Sequence, residues 1–144
     1  MELASKAPGI NKIILIVDDD KTILDLYQAS LARQGFKIAT AESGDKAIAL
    51  FKAGHEFDLV VTDLMMPGKG GFELLKEMQE AGFYATPVIV VTARALDQST
   101  FQTINLESNV KGVLQKPINM KEFHKKIHQL LGTTPPKTFN EWVD

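Results

Sequence analysis

Ile13-Ile14-Leu15-Ile16-Val17 runs straight into Asp18-Asp19-Asp20. The apolar run is mostly β-branched and has no polar alternation that would give it one wet face. It therefore reads as a strand covered on both sides, the pattern of a parallel sheet. The same reading repeats along the chain. Phe57-Asp58-Leu59-Val60-Val61-Thr62 stops at Asp63, Val88-Ile89-Val90-Val91 follows Pro87 and stops at Thr92, and Gly112-Val113-Leu114-Gln115 stops at Lys116-Pro117. Phe36 to Thr40 is a weaker strand. Between these runs lie helical spacings: Ile23, Leu24, Tyr27 and Leu31, closed by Gly35; Ala47, Ile48 and Phe51, between Ser43 and Gly54; Phe72, Leu75 and Met78, ending near Gly82. A dilute fourth helix is expected at 97–106 with Phe101 and Ile104, and a fifth carries Phe123, Ile127, Leu130 and Leu131 before Gly132. Asp20, ahead of Lys21-Thr22-Ile23, reads as the cap of the first helix. Five strands alternating with five helices predict an α/β fold, a doubly wound (βα)5 three-layer sandwich with right-handed crossovers.

The rest of the composition narrows the function classes. One domain's worth of chain, 144 residues, carries 44% hydrophobic and 24% charged residues, and its net charge of -2 argues against coating nucleic acid or an acidic membrane. With no cysteine, disulfides, thiolate zinc sites and Cys nucleophiles are excluded. No apolar run approaches a membrane span, and Met1 to Asn11 has no apolar core suited to a secretory signal, so a cytoplasmic protein is expected. The organisation expected is an N-terminal extension over 1–11, the domain over 12–131 and a tail over 132–144. The tail, with Pro135-Pro136, Phe139 and Trp142, is open to three readings: linker, docking segment or frayed terminus, of which linker or frayed end is the plainest.

In an open α/β sheet, ligands bind beyond the carboxyl ends of the strands. Those ends here carry Asp18 and Asp19, Asp63, Thr92 and Lys116, so three carboxylates, a hydroxyl and an amine are expected to meet in one crevice. Crowded carboxylates raise one another's pKa, and a hard divalent cation such as Mg²⁺ relieves them. An aspartate in such a place can be a nucleophile that becomes an aspartyl phosphate, with the cation and a fixed ammonium neutralising the phosphoryl oxygens. Asp63 suits that role because Leu64-Met65-Met66-Pro67-Gly68 turns sharply after it. Lys116 is the ammonium partner and Thr92 a hydrogen-bond donor. Each residue alone has a plain reading as turn, strand end or solvated lysine; the coincidence at four strand ends of one sheet is what points to a site.

The motifs around these positions are Ile14-Leu15-Ile16-Val17-Asp18-Asp19-Asp20, Asp58-Leu59-Val60-Val61-Thr62-Asp63-Leu64-Met65-Met66-Pro67-Gly68, Val88-Ile89-Val90-Val91-Thr92-Ala93 and Leu114-Gln115-Lys116-Pro117. In this order they resemble the response-regulator receiver domain of two-component signalling, over about residues 12 to 131. The resemblance implies a flavodoxin-like sheet in the order 2-1-3-4-5 and a cis bond at Lys116-Pro117. It also implies that Asp63 accepts a phosphoryl group from a phosphohistidine on a histidine kinase or histidine phosphotransfer protein. Asp19, Asp63 and the backbone carbonyl of Met65 would ligate Mg²⁺, Asp18 would assist, and Thr92 and Lys116 would engage the phosphoryl group. Such a protein is a phosphoacceptor rather than a turnover enzyme. Its signal would appear on the face of helix four, strand five and helix five, for an output domain, a docking partner or a second copy, with no direct nucleic-acid or membrane binding.

One position departs from the family pattern. Val113, three before the lysine, stands where a switching aromatic is usual, so the coupling of Thr92 to the output face is expected to take another form. Met65 and Arg94, each two residues beyond a site residue, would flank an attacking water and lengthen the phosphate's life. Among rival readings, a haloacid-dehalogenase type phosphatase needs an Asp at the position of Met65. A flavodoxin-like cofactor binder needs a phosphate-cradling loop after strand one, which is missing. A degenerate receiver that only docks partners is the alternative, weakened because every chemical position is filled. His124 and His128, at i, i+4 spacing, could clamp a metal but read more plainly as a solvated face.

Overall fold

The computed structural model describes residues 7–8, 11–93, 98–105 and 109–136. Five parallel strands, β1 (Ile13–Val17), β2 (Lys37–Ala41), β3 (Leu59–Asp63), β4 (Val88–Thr92) and β5 (Val110–Gln115), stand in the order β2-β1-β3-β4-β5. This is the expected 2-1-3-4-5 arrangement. Helices α1 (Lys21–Arg33), α2 (Gly44–Lys52), α3 (Gly71–Glu80), α4 (Gln98–Asn105) and α5 (Met120–Leu131) connect and follow them. None of the described helices is long and apolar enough to cross a membrane.

The sheet separates two apolar layers. On one face Leu15, Val17, Val60 and Val90 pack with Ile48 and Phe51 of α2, Leu75 and Met78 of α3 and Ile104 of α4. On the other Ile14, Ile16, Val61 and Ile89 pack with Leu24, Tyr27 and Leu31 of α1 and Phe123 and Ile127 of α5. Both sets alternate along the same strands, which is why β1, β3 and β4 read as unbroken apolar runs.

Side chains fix where the helices begin. Asp20 accepts hydrogen bonds from the N–H groups of Thr22 and Ile23, Ser43 from Lys46, and Asn119 from Glu122. Each satisfies a donor that the first turn leaves orphaned. The peptide bond Lys116-Pro117 is cis, as expected.

Three readings need correcting. β5 begins at Val110 rather than Gly112, because an irregularity pairs Val88 with Val110 and Ile89 with Gly112 and leaves Lys111 as the extra residue of a bulge. The histidines of α5 are not a solvated face: His128 is 6% exposed, and the Nε2 of His124 lies 2.7 Å from Ser30 Oγ on α1. The start of the C-terminal tail is not frayed. Thr133–Thr134 pairs in parallel with Ala7–Pro8 of the N-terminal extension, forming a small separate sheet, and Thr133 is buried.

Candidate functional site

The carboxyl ends of β1 and β3 and the residue after β5 converge. Lys116 reaches across them, its Nζ 2.9 Å from Asp18 Oδ2 and 3.3 Å from Asp63 Oδ2. The second oxygen of Asp18 accepts the N–H of Asp20 at 2.8 Å, which fixes its rotamer. Asp63 Oδ1 accepts a longer bond, 3.4 Å, from the N–H of Met65. Asp18 and Asp63 are buried and Asp19 is exposed, yet one oxygen from each of the three lies within 4.8 Å of the others.

The electrostatics follow from two buried carboxylates sharing one ammonium, with Asp19 close by. Burial pushes the Asp63 carboxyl above its ordinary value, and the charge of Asp18 adds to this; the attraction of Lys116 and the Met65 N–H oppose it. For Lys116, burial favours the neutral amine. The hydrogen bond to Asp18 and the charges of Asp18 and Asp63 outweigh that, so its pKa is raised and the ammonium is held. The cluster carries more negative charge than Lys116 can neutralise. Its donors are all oxygen, two sheltered and one open to solvent, a set that suits a hard divalent cation retaining open positions for other oxygens.

Thr92 is buried at the end of β4, and its carbonyl accepts the N–H of Lys116 at 2.7 Å, so the tops of β4 and β5 are tied together. Met65 stands 65% exposed at the mouth of the crevice, while Met66 turns into the core. Val113 is half-buried against the layer of α2, α3 and α4. Arg94 lies outside the described residues.

Two features of the site are not visible in the strand-end pattern. The first is the loop after Asp63. The N–H of Gly71 bonds to Leu64 O at 2.9 Å. A Cβ on Gly71 would lie 2.8 Å from the Asp63 carbonyl, and one on Gly70 2.7 Å from that of Leu64. Glycine is therefore what lets α3 start directly against the Asp63 backbone. Lys69, in the same loop, ion-pairs with Glu77 of α3 and, at 3.0 Å, with Asp45 of α2. The second is Tyr27. Its helical spacing marks it as inward-facing but does not reveal that it lies within the field of the site. Burial raises its hydroxyl pKa, Lys116 opposes, and Asp18 and Asp63 reinforce. Beside it an apolar groove of about 320 Å³ is lined by Ile23, Leu26, Tyr27, Pro117, Ile118 and Met120, with Lys116 at its edge.

Comparisons with known proteins agree with this geometry. The family model described as "Response regulator receiver domain" matches residues 14–128. The transcriptional regulatory protein CpxR of Klebsiella pneumoniae is 36% identical over 122 residues, 85% of this chain and 50% of that protein. The response regulator SaeR of Staphylococcus aureus is 32% identical over 118 residues, 82% of this chain and 50% of that one. The chain thus spans about half the length of the curated relatives it matches. Among solved structures, the response regulator TrrA of Thermotoga maritima, described as a complex with Mg²⁺ and BeF, superposes with a TM-score of 0.71 at 32% identity. That match covers 83% of this chain and 99% of TrrA. A Francisella response regulator receiver domain gives 0.74 at 30%, covering 84% and 97%.

Proposed function

The chain belongs to the response regulator receiver family of two-component signalling, and on that premise we propose that Asp63 is its phosphoacceptor, charged from a phosphohistidine on a histidine kinase or histidine phosphotransfer protein. The observation that carries this reading is Lys116 bridging Asp18 and Asp63 with Asp19 beside them. A carboxylate oxygen of Asp63 attacks phosphorus, the P–N bond to the donor histidine breaks, and the imidazole leaves with that electron pair. Asp18, Asp19 and Asp63, with the backbone carbonyl of Met65, would hold Mg²⁺, which when bound supplies positive charge to the phosphoryl oxygens. Lys116 exchanges a carboxylate of the resting site for a phosphoryl oxygen, and Thr92 donates its hydroxyl to another. The raised pKa of Lys116 keeps the ammonium charged for this task.

The apolar groove between α1 and the segment after Lys116 gives the donor a seat beside the reacting atoms, and Leu26, 53% exposed, is its outermost anchor. Residues 12–131 act as the receiver unit. Charging Asp63 pulls Thr92 and Lys116 inward and re-sets the surface of α4, β5 and α5, where an output domain, a partner or a second copy reads the change. With Val113 in place of a swinging aromatic, that change travels through the backbone link of Thr92 to Lys116. Met65 and Arg94 shield the phosphoryl group from water, and the protein works in the cytoplasm.

The test is intact mass after treatment with acetyl phosphate and Mg²⁺. Wild type gains one phosphoryl group, and the gain is absent in Asp63→Asn and with chelator. A chain that takes no phosphoryl group, forms no beryllofluoride adduct and binds no Mg²⁺ would instead be a docking module.

A further inference from the structure

The strand ladders fix Asp18 and Asp63 but not the loop beyond them. Pairing of β1 with β3 ends at Val17 and Thr62, and the Leu64 N–H makes one more bond, to Val91 O. Met65 to Lys69 then overhang the end of the sheet. Of these residues Met66 is anchored in the core, while Met65 is exposed. The far end of the overhang is held from outside, by Lys69.

Lys69 makes that attachment three times. Its carbonyl accepts the N–H of Gly44, the first residue of α2, at 3.1 Å. Its Nζ lies 3.0 Å from Asp45 Oδ1 in the first turn of α2, and it also pairs with Glu77 of α3. The contact with α2 is close: a Cβ on Gly44 would lie 2.7 Å from both the Lys69 carbonyl and its Cγ. Glu77 Oε1 is shut off from solvent and has no other partner among the described residues. The start of α2 is itself joined to the site, because Ala41, three residues before Gly44, accepts the N–H of Asp18 at 3.1 Å. A path of bonds thus runs from Asp18 through α2 and Lys69 into the loop that carries Met65.

We propose that Lys69 is a positioning residue for the acidic cluster: it clamps the loop after Asp63 to α2 and α3 and so sets the affinity of the site for a divalent cation. The proposal rests on the reading of Asp18, Asp19, Asp63 and the Met65 carbonyl as the cation's ligands. A ligand on a loop free to shift pays the cost of ordering when the cation binds, and a clamped one has paid it beforehand. Lys69 pairs with Asp45 and Glu77 and not with the cluster. Its charge alone would work the other way, since a cation near the site repels another. The sign of the effect therefore separates a clamp from a mere field.

The test uses Mn²⁺, a hard cation with the same taste for oxygen ligands, its free concentration read by electron paramagnetic resonance in the full chain. Lys69→Met should weaken binding roughly tenfold, the lower end of what the outer supports of a metal site are worth. Lys69→Arg, which can still bridge both carboxylates, should return to within about twofold of wild type. Lys69→Met combined with Glu77→Gln keeps the net charge and leaves no sheltered carboxylate unpaired. With wild-type far-UV circular dichroism, it should still bind roughly tenfold more weakly. With acetyl phosphate, the Mg²⁺ concentration for half-maximal rate should rise by the same factor while the saturated rate stays near that of wild type. Binding by Lys69→Met as tight as wild type or tighter overturns the proposal, as does full affinity in the double variant. Wild type that binds no Mn²⁺ removes the cation site and the clamp's role with it. Binding that depends on Lys69 in a chain that takes no phosphoryl group supports the clamp and sinks only the phosphoacceptor reading.

Discussion

Asp63 is held in an unfavourable state until something positive arrives. Burial and the negative charge of Asp18 both raise its pKa, and Lys116 lies 2.9 Å from Asp18 but 3.3 Å from Asp63, so its contact with Asp63 is the weaker of the two. A group whose folded pKa is raised binds protons more readily when folded, so the folded state is penalised at neutral pH and relieved as pH falls toward that raised value. Asp63→Asn removes the charge and keeps the shape. It should therefore stabilise the apo protein, by on the order of 1 kcal/mol, read as a higher urea midpoint without change in slope. Saturating Mg²⁺ should stabilise wild type and leave the variant nearly unmoved. A variant less stable than wild type in chelator would mean that Lys116 compensates Asp63 more fully than the geometry indicates. These residues were legible in the sequence because each ends an apolar run, where a polar side chain has to leave the core. Tyr27 was not, because helical spacing tells which way a residue faces and not what lies at the far end of its ring.

The loop from Asp63 into α3 shows what an element adds to its residues. Gly71 approaches the Asp63 carbonyl so closely that no β-carbon fits, and the neighbour is backbone, which cannot swing away as a side chain would. Gly71→Ala should displace the start of α3 from Leu64. We expect a loss of about 1–3 kcal/mol and, on the proposed role of Asp63, slower phosphorylation by acetyl phosphate at fixed Mg²⁺, because the moved backbone carries Asp63 with it. Gly54→Ala is the comparison that separates the two causes of strain: it too is costly, since its φ is +98°, but nothing lies within 4 Å and it is remote from Asp63. It should therefore lower stability and spare the rate. Element boundaries were legible where a cap or an apolar run marked them, as at Asp20, Ser43 and Val88. They blurred at the sheet's edges. β2 and β5 have exposed positions that dilute the apolar signal, and the bulge at Lys111 breaks the pairing where the run would have started.

Across the whole molecule, His128 ties α5 to the end of α1, 94 residues earlier, and to the small terminal sheet just after α5. Its ring touches Phe36 at 5.0 Å, its Nε2 meets Gln34 at the end of α1, and its Nδ1 meets Thr133 of the terminal sheet. Gln34 offers a carbonyl oxygen, so the Nε2–H donates, and in the neutral ring Nδ1 accepts the Thr133 hydroxyl. Nothing in an i, i+4 pair of histidines reveals this, because the partners come from 94 residues earlier and from a tail with no periodicity. Burial lowers the His128 pKa and nearby His124 lowers it further; His124 itself is lowered by burial. The sign is then fixed. The unfolded ring takes a proton near its ordinary value of about 6.5, the folded one only at lower pH, so the stabilisation is complete above about 6.5 and drains away as pH falls through the folded value. Protonation also turns Nδ1 into a donor and forces the Thr133 hydroxyl to reverse. Wild type should therefore lose stability on acidification from about pH 7.5 to about pH 5. His128→Gln should cost about 1–2 kcal/mol at the upper pH, where its bonds are lost. Its urea midpoint should fall less on acidification than that of wild type, with the two curves converging toward the lower pH. Parallel curves would show that His128 stays neutral throughout that range, leaving carboxylates to account for any acid sensitivity.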